Sequence, residues 1–459
     1  MEEKYSKKIN YYKKVLKKYD NYSNFYDCAN TMLENIPESI CYEDSVIYKT
    51  TIMVTAPVLV SYVLYILKDA QNKKMERLYF LSRDGYIMYK IANILCQSYG
   101  IDIECRYLYC SRLALRAPLY LIDKKEAMEK ICEKGEKISI KIVLQRAGVS
   151  ETIQNEIINQ LGIKQKDKSL NEEELKILKE KLNKNLLFTT EVYKYAKVKY
   201  EEIYKYFKQE KLIENKNYAI VDVGWLGTMQ RHIRQILLYS GYNKTIKGYY
   251  FAMFEDGKKE DGEYNCFYFS KKNNSSRRIL FNNNIFECMC SANHGMTIGY
   301  NSSNEGVIKP IFKDYKEKWN VNLQLITIEK YTKKFVALNK CNEIKIDCLN
   351  KIIKTLLVSF MMFPSKEEAS VYGSIPFCDD FTEGYTFNLA DILNKAELYQ
   401  YYIFYKIYKK LFLKKKNEKF HESYWINGTI QLSNIRFKKI FNLGCILSEY
   451  IHYLIYKLK

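Results

Sequence analysis

The chain has 459 residues, 47% hydrophobic and 27% charged, a globular balance with length for about three domains of ~150 residues each. With only 18 Gly and 6 Pro, collagen-like, linker-rich and low-complexity disordered chains are excluded. Lys and Arg number 73 against 53 Asp and Glu, and the resulting +20 attracts anions: nucleic acid, acidic membrane or phosphorylated small molecules.

Lys supplies 62 of these cations and Arg only 11. Abundant Lys, Tyr and Asn read as an A/T-rich coding bias, so most of the charge belongs to solvated faces. Arg grips phosphate bidentately where Lys does not, which makes the positions of the few Arg more informative. The 13 Cys are odd in number and show no CxxC pair, and only 4 His accompany them. They read as reduced thiols of a cytoplasmic protein, without a disulfide framework or a zinc site.

Residues 1–45 are basic, aromatic and helix-like, with no apolar run of signal-peptide length. Residues 46–120 form the first half of an α/β core. Thr50–Leu67 carries no charge; Pro57, its hydroxyl residues and the Lys68-Asp69 that follow predict a buried core helix, with a membrane span as the alternative. Arg77–Leu81 is a short apolar run, Ser82-Arg83-Asp84-Gly85 a polar turn, and Tyr86–Cys96 has helical apolar spacing. Glu104–Cys110 is a second strand, ending at Ser111-Arg112 with Arg116 one turn on. Two strands joined by a helix over ~30 residues make a parallel crossover, and both tips then share the carboxyl edge where open sheets bind ligands.

Residues 121–215 turn Lys/Glu-rich and read as a helical insertion. The second half of the core, 216–312, opens with a β-run over Tyr218–Val221 that ends at Asp222. The loop Gly224-Trp225-Leu226-Gly227-Thr228, a helix to Ser240 and a strand over Thr245–Phe254 follow. Ile285–Tyr300 mixes a helix end with a Gly-rich turn. Residues 313–459 read as mainly helical, and Ala396–Phe420 among them is basic and aromatic enough to lie on an anionic bilayer.

The 224–228 loop has the parts of a phosphate cradle. Gly224 and Gly227 allow close approach of backbone N–H groups, and a helix N-terminus follows. Thr228 can cap that helix or bond a phosphate oxygen, and Asp222 is placed for sugar hydroxyls. The plain alternative is a tight strand-to-helix turn. Walker and GxGxxG patterns are absent, and Ser82-Arg83-Asp84 holds one Asp where a haloacid-dehalogenase nucleophile site needs two. Arg231 and Arg234 share a helix face and read as surface residues.

Strand–SRDG–helix–strand followed by strand–VDVGWLGTMQ–helix–strand resembles the type I phosphoribosyltransferase fold. In that fold the first loop binds pyrophosphate. The second, two acids followed by a Thr-Gly turn, binds the ribose hydroxyls and 5-phosphate of phosphoribosyl pyrophosphate (PRPP). Asp222 matches the first acid and Gly227-Thr228 the phosphate turn, while Val223 stands in place of the second acid. A closer similarity is to bacterial polysaccharide-locus proteins that carry LSRDGY, YLYCSRLALR, VDVGWLGTMQ and FECMCSANHGMTIGY in this order, over about residues 45–315. Those proteins are often fused to, or encoded beside, a haloacid-dehalogenase phosphatase and labelled as hydrolases. Residues 1–45 leave no room for that domain.

The resemblance implies an α/β, phosphoribosyltransferase-like parallel sheet core with helical N-terminal, inserted and C-terminal segments. It also implies an inverting glycosyltransferase of capsule or O-antigen polysaccharide, moving 5-phosphoribose from PRPP to a glycan acceptor, free or lipid-linked. Mg²⁺ would be held through pyrophosphate, with no metal site built by the protein alone, and a separate phosphatase would leave ribofuranose. Ser82, Arg83, Gly85, Ser111, Arg112 and Arg116 would form the pyrophosphate anion hole, and Gly224, Trp225, Gly227 and Thr228 the ribose-phosphate turn. Asp84 is the first candidate to hold metal-bound pyrophosphate or to take the acceptor proton, with Glu287 and His294 as alternatives for that proton. The expected location is the cytoplasm, with peripheral contact at the inner face of an anionic membrane and no nucleic-acid partner. Two other functions stand beside this one: a hydrolase of haloacid-dehalogenase type, and a non-enzymatic basic scaffold at membrane or nucleic acid.

Overall fold

Side chains of a strand alternate between two faces, and here the alternation builds two separate apolar clusters. The computed structural model describes residues 2–18, 24–36, 40–134, 138–303, 306–340, 346–377, 387–402, 405 and 423–457. Strand β1 (Arg77–Leu81) sends Leu78 and Phe80 into one cluster and Tyr79 and Leu81 into the other. With β2 (Glu104–Leu108), β3 (Tyr218–Trp225), β4 (Ile246–Met253) and β5 (Gly262–Phe269) it forms a five-stranded sheet, ordered β2-β1-β3-β4-β5. Every neighbouring pair is parallel, so the protein is of the α/β class. Phe80 pairs with both Tyr107 and Val221, which brings the carboxyl ends of β1, β2 and β3 together.

From β1 the chain crosses to β2 on one side, and β3 lies on the other. The strand order therefore reverses at β1, the kind of point where a crevice opens outside the carboxyl ends of a parallel sheet. Right-handed crossovers running in opposite directions put their helices on opposite faces. Helix Gly85–Tyr99 accordingly buries Ile87, Ile91 and Leu95 in the first cluster, and helix Thr228–Tyr239 buries Ile233, Ile236 and Leu237 in the second.

Two strand readings change. The fifth strand, β5, has no counterpart in the sequence reading, because only residues 254–261 separate it from β4 and they contain a 3-10 turn (Lys259–Asp261) in place of a crossover helix. Strand β3 also runs past Asp222 to Trp225. Asp222 and Gly224 pair with Tyr250 and Ala252, so the second loop shrinks to Leu226-Gly227 before the helix begins.

The uncharged stretch at 50–67 lies in a continuous helical run, Tyr42–Asn72, with a π-helical turn at Thr51–Thr55. Among the described residues it is the one helix long and apolar enough to cross a membrane, and 94% of its most apolar window is buried in the protein. The Tyr62 and Tyr65 rings pack on Phe267 of β5, which makes the run a core helix. Helices Glu2–Lys18, Phe25–Glu34, Val321–Leu338 and Ile346–Met362 join the same cluster. Residues between Leu119 and Ala196 have an apolar cluster of their own. Helix Leu186–Gln209 belongs to both worlds: Phe188, Val192 and Ala196 sit in that cluster, while Ile203, Tyr206 and Phe207 sit against the sheet. A hairpin of β6 (Thr297–Ser302) and β7 (Ile308–Phe312) flanks the core. Most of Ala396–Phe420 lies outside the described residues.

Candidate functional site

Two serines tie the strand ends. Ser82 Oγ donates to the Cys110 carbonyl at 2.7 Å and accepts from the Cys110 N–H at 3.1 Å, clasping β1 to the chain beyond β2. Ser111 Oγ accepts from the Ala114 N–H at 3.0 Å, capping the short helix Arg112–Arg116, and donates to the Thr297 carbonyl at 2.5 Å. Both hydroxyls are thus committed to the fold. Beyond the clasp Arg83 is exposed and Asp84 half-buried. Gly85 is required by contact, since a Cβ there would stand 2.9 Å from the Phe80 carbonyl carbon.

Arg83 and Asp84 line a cleft of about 210 Å³. Its other wall includes Glu287, from helix Asn283–Met289, and Lys313, Tyr315 and Trp319, from the segment after β7. That segment escaped the sequence reading; its only signal is aromatic residues set among lysines, with no periodicity to assign.

On β3, Gly224 has φ +137°, and a Cβ there would lie 1.9 Å from the Ala252 carbonyl oxygen. Gly227, with φ +67°, is the N-cap of helix Thr228–Tyr239; Thr228 is its first residue, and no side chain caps it. Trp225 ends β3 instead of standing in a loop. Its indole N–H donates to Glu287 Oε1 at 2.7 Å, which links the second turn to the cleft wall.

Three carboxyl groups share the region. Burial pushes Asp84 up to about 6, against the opposing pull of Arg83 and Arg112. Asp222, buried and accepting from the Val223 N–H at 2.8 Å, is pushed up to about 7, first by burial and then by the charge of Asp84. Glu287 is raised to about 8, again by burial and then by Asp84. The charge of Asp84 thus reaches both of the others, and all three titrate closer to neutral pH than free carboxyls do. Among the described residues no three His, Cys, Asp or Glu side chains gather as a metal cage.

His294 stands apart. Its Nδ1 lies 2.9 Å from the Gly295 carbonyl, which can only accept, so Nδ1 carries the proton and Nε2 accepts from the Tyr107 hydroxyl at 2.7 Å. The ring is enclosed by Tyr86, Tyr107, Tyr109 and Phe312, and burial lowers its pKa. It is a neutral imidazole with both nitrogens engaged, and it has no lone pair left for an acceptor proton.

Arg116 is buried, with Nη2 4.0 Å from Glu133 of the inserted region and no place in the cleft lining. The surface reading of Arg231 and Arg234 changes: Arg234 is buried and Arg231 half-buried. Arg231 forms an ion pair with Glu126, whose Oε1 is also 3.4 Å from His232 Nε2, and Arg234 is buried and donates to Asn243 Oδ1 at 3.0 Å. Inserted helix Lys124–Ile131, carrying Glu126, covers the face that the sequence leaves open. The His232 hydrogen bond and the Arg231 charge hold Glu126 down at about 2.

No family model matches the sequence, and no curated protein matches it.

Proposed function

We propose that the chain, on a phosphoribosyltransferase-like core, transfers 5-phosphoribose from PRPP to a hydroxyl of a glycan acceptor during synthesis of a surface polysaccharide. What supports the reading is the meeting of two turns at the point where the strand order reverses. One carries exposed Arg83 beside Asp84, and the other leads from Asp222 to two glycines at a helix N-terminus.

The transfer forms a bond from the acceptor oxygen to ribose C1 and breaks the bond from C1 to diphosphate, which leaves with the electron pair. Attack opposite the leaving group inverts α to β. Arg83 and Arg112 face the charge that grows on the diphosphate. Asp84, at about 6, is mostly ionised at pH 7 and takes the acceptor proton, whereas Glu287, at about 8, keeps its own. The residues fit a Mg²⁺ that enters with the substrate, since that ion is usually bound by one or two carboxylates plus phosphate oxygens. Glu287, whose proton a cation would displace, would hold it. When bound, it would offset charge on the departing diphosphate. The product retains its 5-phosphate, so a phosphomonoesterase must act before a plain ribofuranose appears.

Pyrophosphate release from PRPP and Mg²⁺, measured across a panel of glycan acceptors free and lipid-linked, tests the reading. Release by the parent chain and its loss in Asp84→Asn and Asp222→Asn, with circular dichroism unchanged, is the expected result. Undiminished release in both variants, or none from the parent with any acceptor, overturns it.

A further inference from the structure

Helix Lys438–Lys457 carries an apolar face that the described residues leave uncovered. Ile440, Leu443, Leu447, Tyr450 and Leu454 are 68%, 54%, 54%, 45% and 42% exposed. Their three-four spacing aligns them on one stripe, while Asn442, Cys445 and Ser448 on the other side are buried against the protein. Phe437, just before the first turn, is exposed as well. A continuous apolar patch of this kind marks a contact surface.

Charge decides between the two occupants such a stripe could take. The helix has one acid, Glu449, and at ~100° per residue it points away from the stripe. Arg436, Lys438 and Lys439 stand at one end and Lys457 at the other. A second copy laid along the stripe, parallel or antiparallel, would set lysine-bearing ends against lysine-bearing ends. Anionic headgroups meet both ends with opposite charge, and Leu, Ile and Tyr side chains suit the boundary between headgroup and acyl chain. We propose that helix Lys438–Lys457 lies in the surface of an anionic bilayer with its Ile440–Leu454 stripe inserted. This holds whatever reaction the cleft performs.

Flotation of the full chain with vesicles of phosphatidylcholine, alone or with added phosphatidylglycerol, tests the proposal without any turnover. The parent is expected to float with the anionic vesicles. Leu443→Glu/Leu447→Glu, at exposed positions, should lose roughly tenfold or more of the bound fraction. Arg436→Glu/Lys439→Glu should weaken binding to anionic vesicles with the stripe left intact. A parent that stays unbound, or a stripe variant that floats as well as the parent, overturns the proposal. A dimer seen by sedimentation that the stripe variant dissociates, with no flotation, also overturns it and gives the stripe to a second copy.

Discussion

The cleft and the junction between the inserted helices and helix Thr228–Tyr239 both bring acids and Arg together, with opposite electrical results. At the junction Glu126 has Arg231 and His232 on it and is held down at about 2. In the cleft region burial outweighs the pull of Arg83 and Arg112, the charge of Asp84 adds to it at Asp222 and Glu287, and all three are held up, at about 6, 7 and 8. A paired carboxylate of the first kind stabilises the fold. Carboxyls of the second kind are raised first by burial and titrate near neutrality, which leaves them able to exchange protons or accept a cation.

The sharpest way to break this contrast is to neutralise one acid in each place. Asp84→Asn should lower pyrophosphate release by roughly a hundred- to a thousandfold with the melting temperature kept or raised, because a repulsive charge is removed. Glu126→Ala should leave release intact per folded molecule and cost about 3 kcal/mol in urea unfolding, since it strands Arg231 and His232 under the inserted helix. Equal effects of the two variants on both readouts would erase the distinction.

Acidity offers a second, smaller effect. Ordinary carboxyls titrate near ~4, so from about pH 4 up to about 6, 7 and 8 the folded chain keeps protons on Asp84, Asp222 and Glu287, respectively, that the unfolded chain has lost. Their contribution is present below pH 4 and is lost as pH rises toward 8. Glu126 works the other way: its contribution is present above about pH 4.5 and is lost as pH falls through its folded value of about 2. Melting curves should show Asp84→Asn flattening the loss on the alkaline side and Glu126→Gln flattening the loss on the acid side. The smallest effect concerns His294. Tyr107→Phe should cost about 1 kcal/mol, one hydrogen bond, without changing the pH profile of release. A shifted profile would return His294 to the chemistry.

Much of the first crossover unit is legible in the sequence, because an apolar run, a polar turn and a helical period follow one another within a few turns. The end of β3 is less so. Asp222 and Gly224 look like strand breakers, yet Asp222 accepts the N–H of its own neighbour and Gly224 packs on the Ala252 carbonyl. Strand β5 lacks the helix that announces a parallel partner. For the site, Arg83 and Asp84 are readable as polar residues in a marked turn and Glu287 as an acid near a helix end, and the structure brings them to one cleft. The engagement of His294 depends on Tyr107, and the pairing of Arg231 on Glu126 of the inserted helices. Such pairings across the chain leave no local period to detect.

Helix Leu186–Gln209 has a mechanical consequence. At ~1.5 Å per residue its 24 residues make a rod of about 36 Å, with one end fixed in the inserted cluster and the other against the sheet. Near the sheet end the Tyr206 hydroxyl accepts the Tyr109 N–H at 2.9 Å, immediately beyond β2 and next to the residue that Ser82 clasps. A tilt of the Lys/Glu-rich appendage is therefore geared, through one stiff lever, to the strand ends that lead into Arg83 and Arg112.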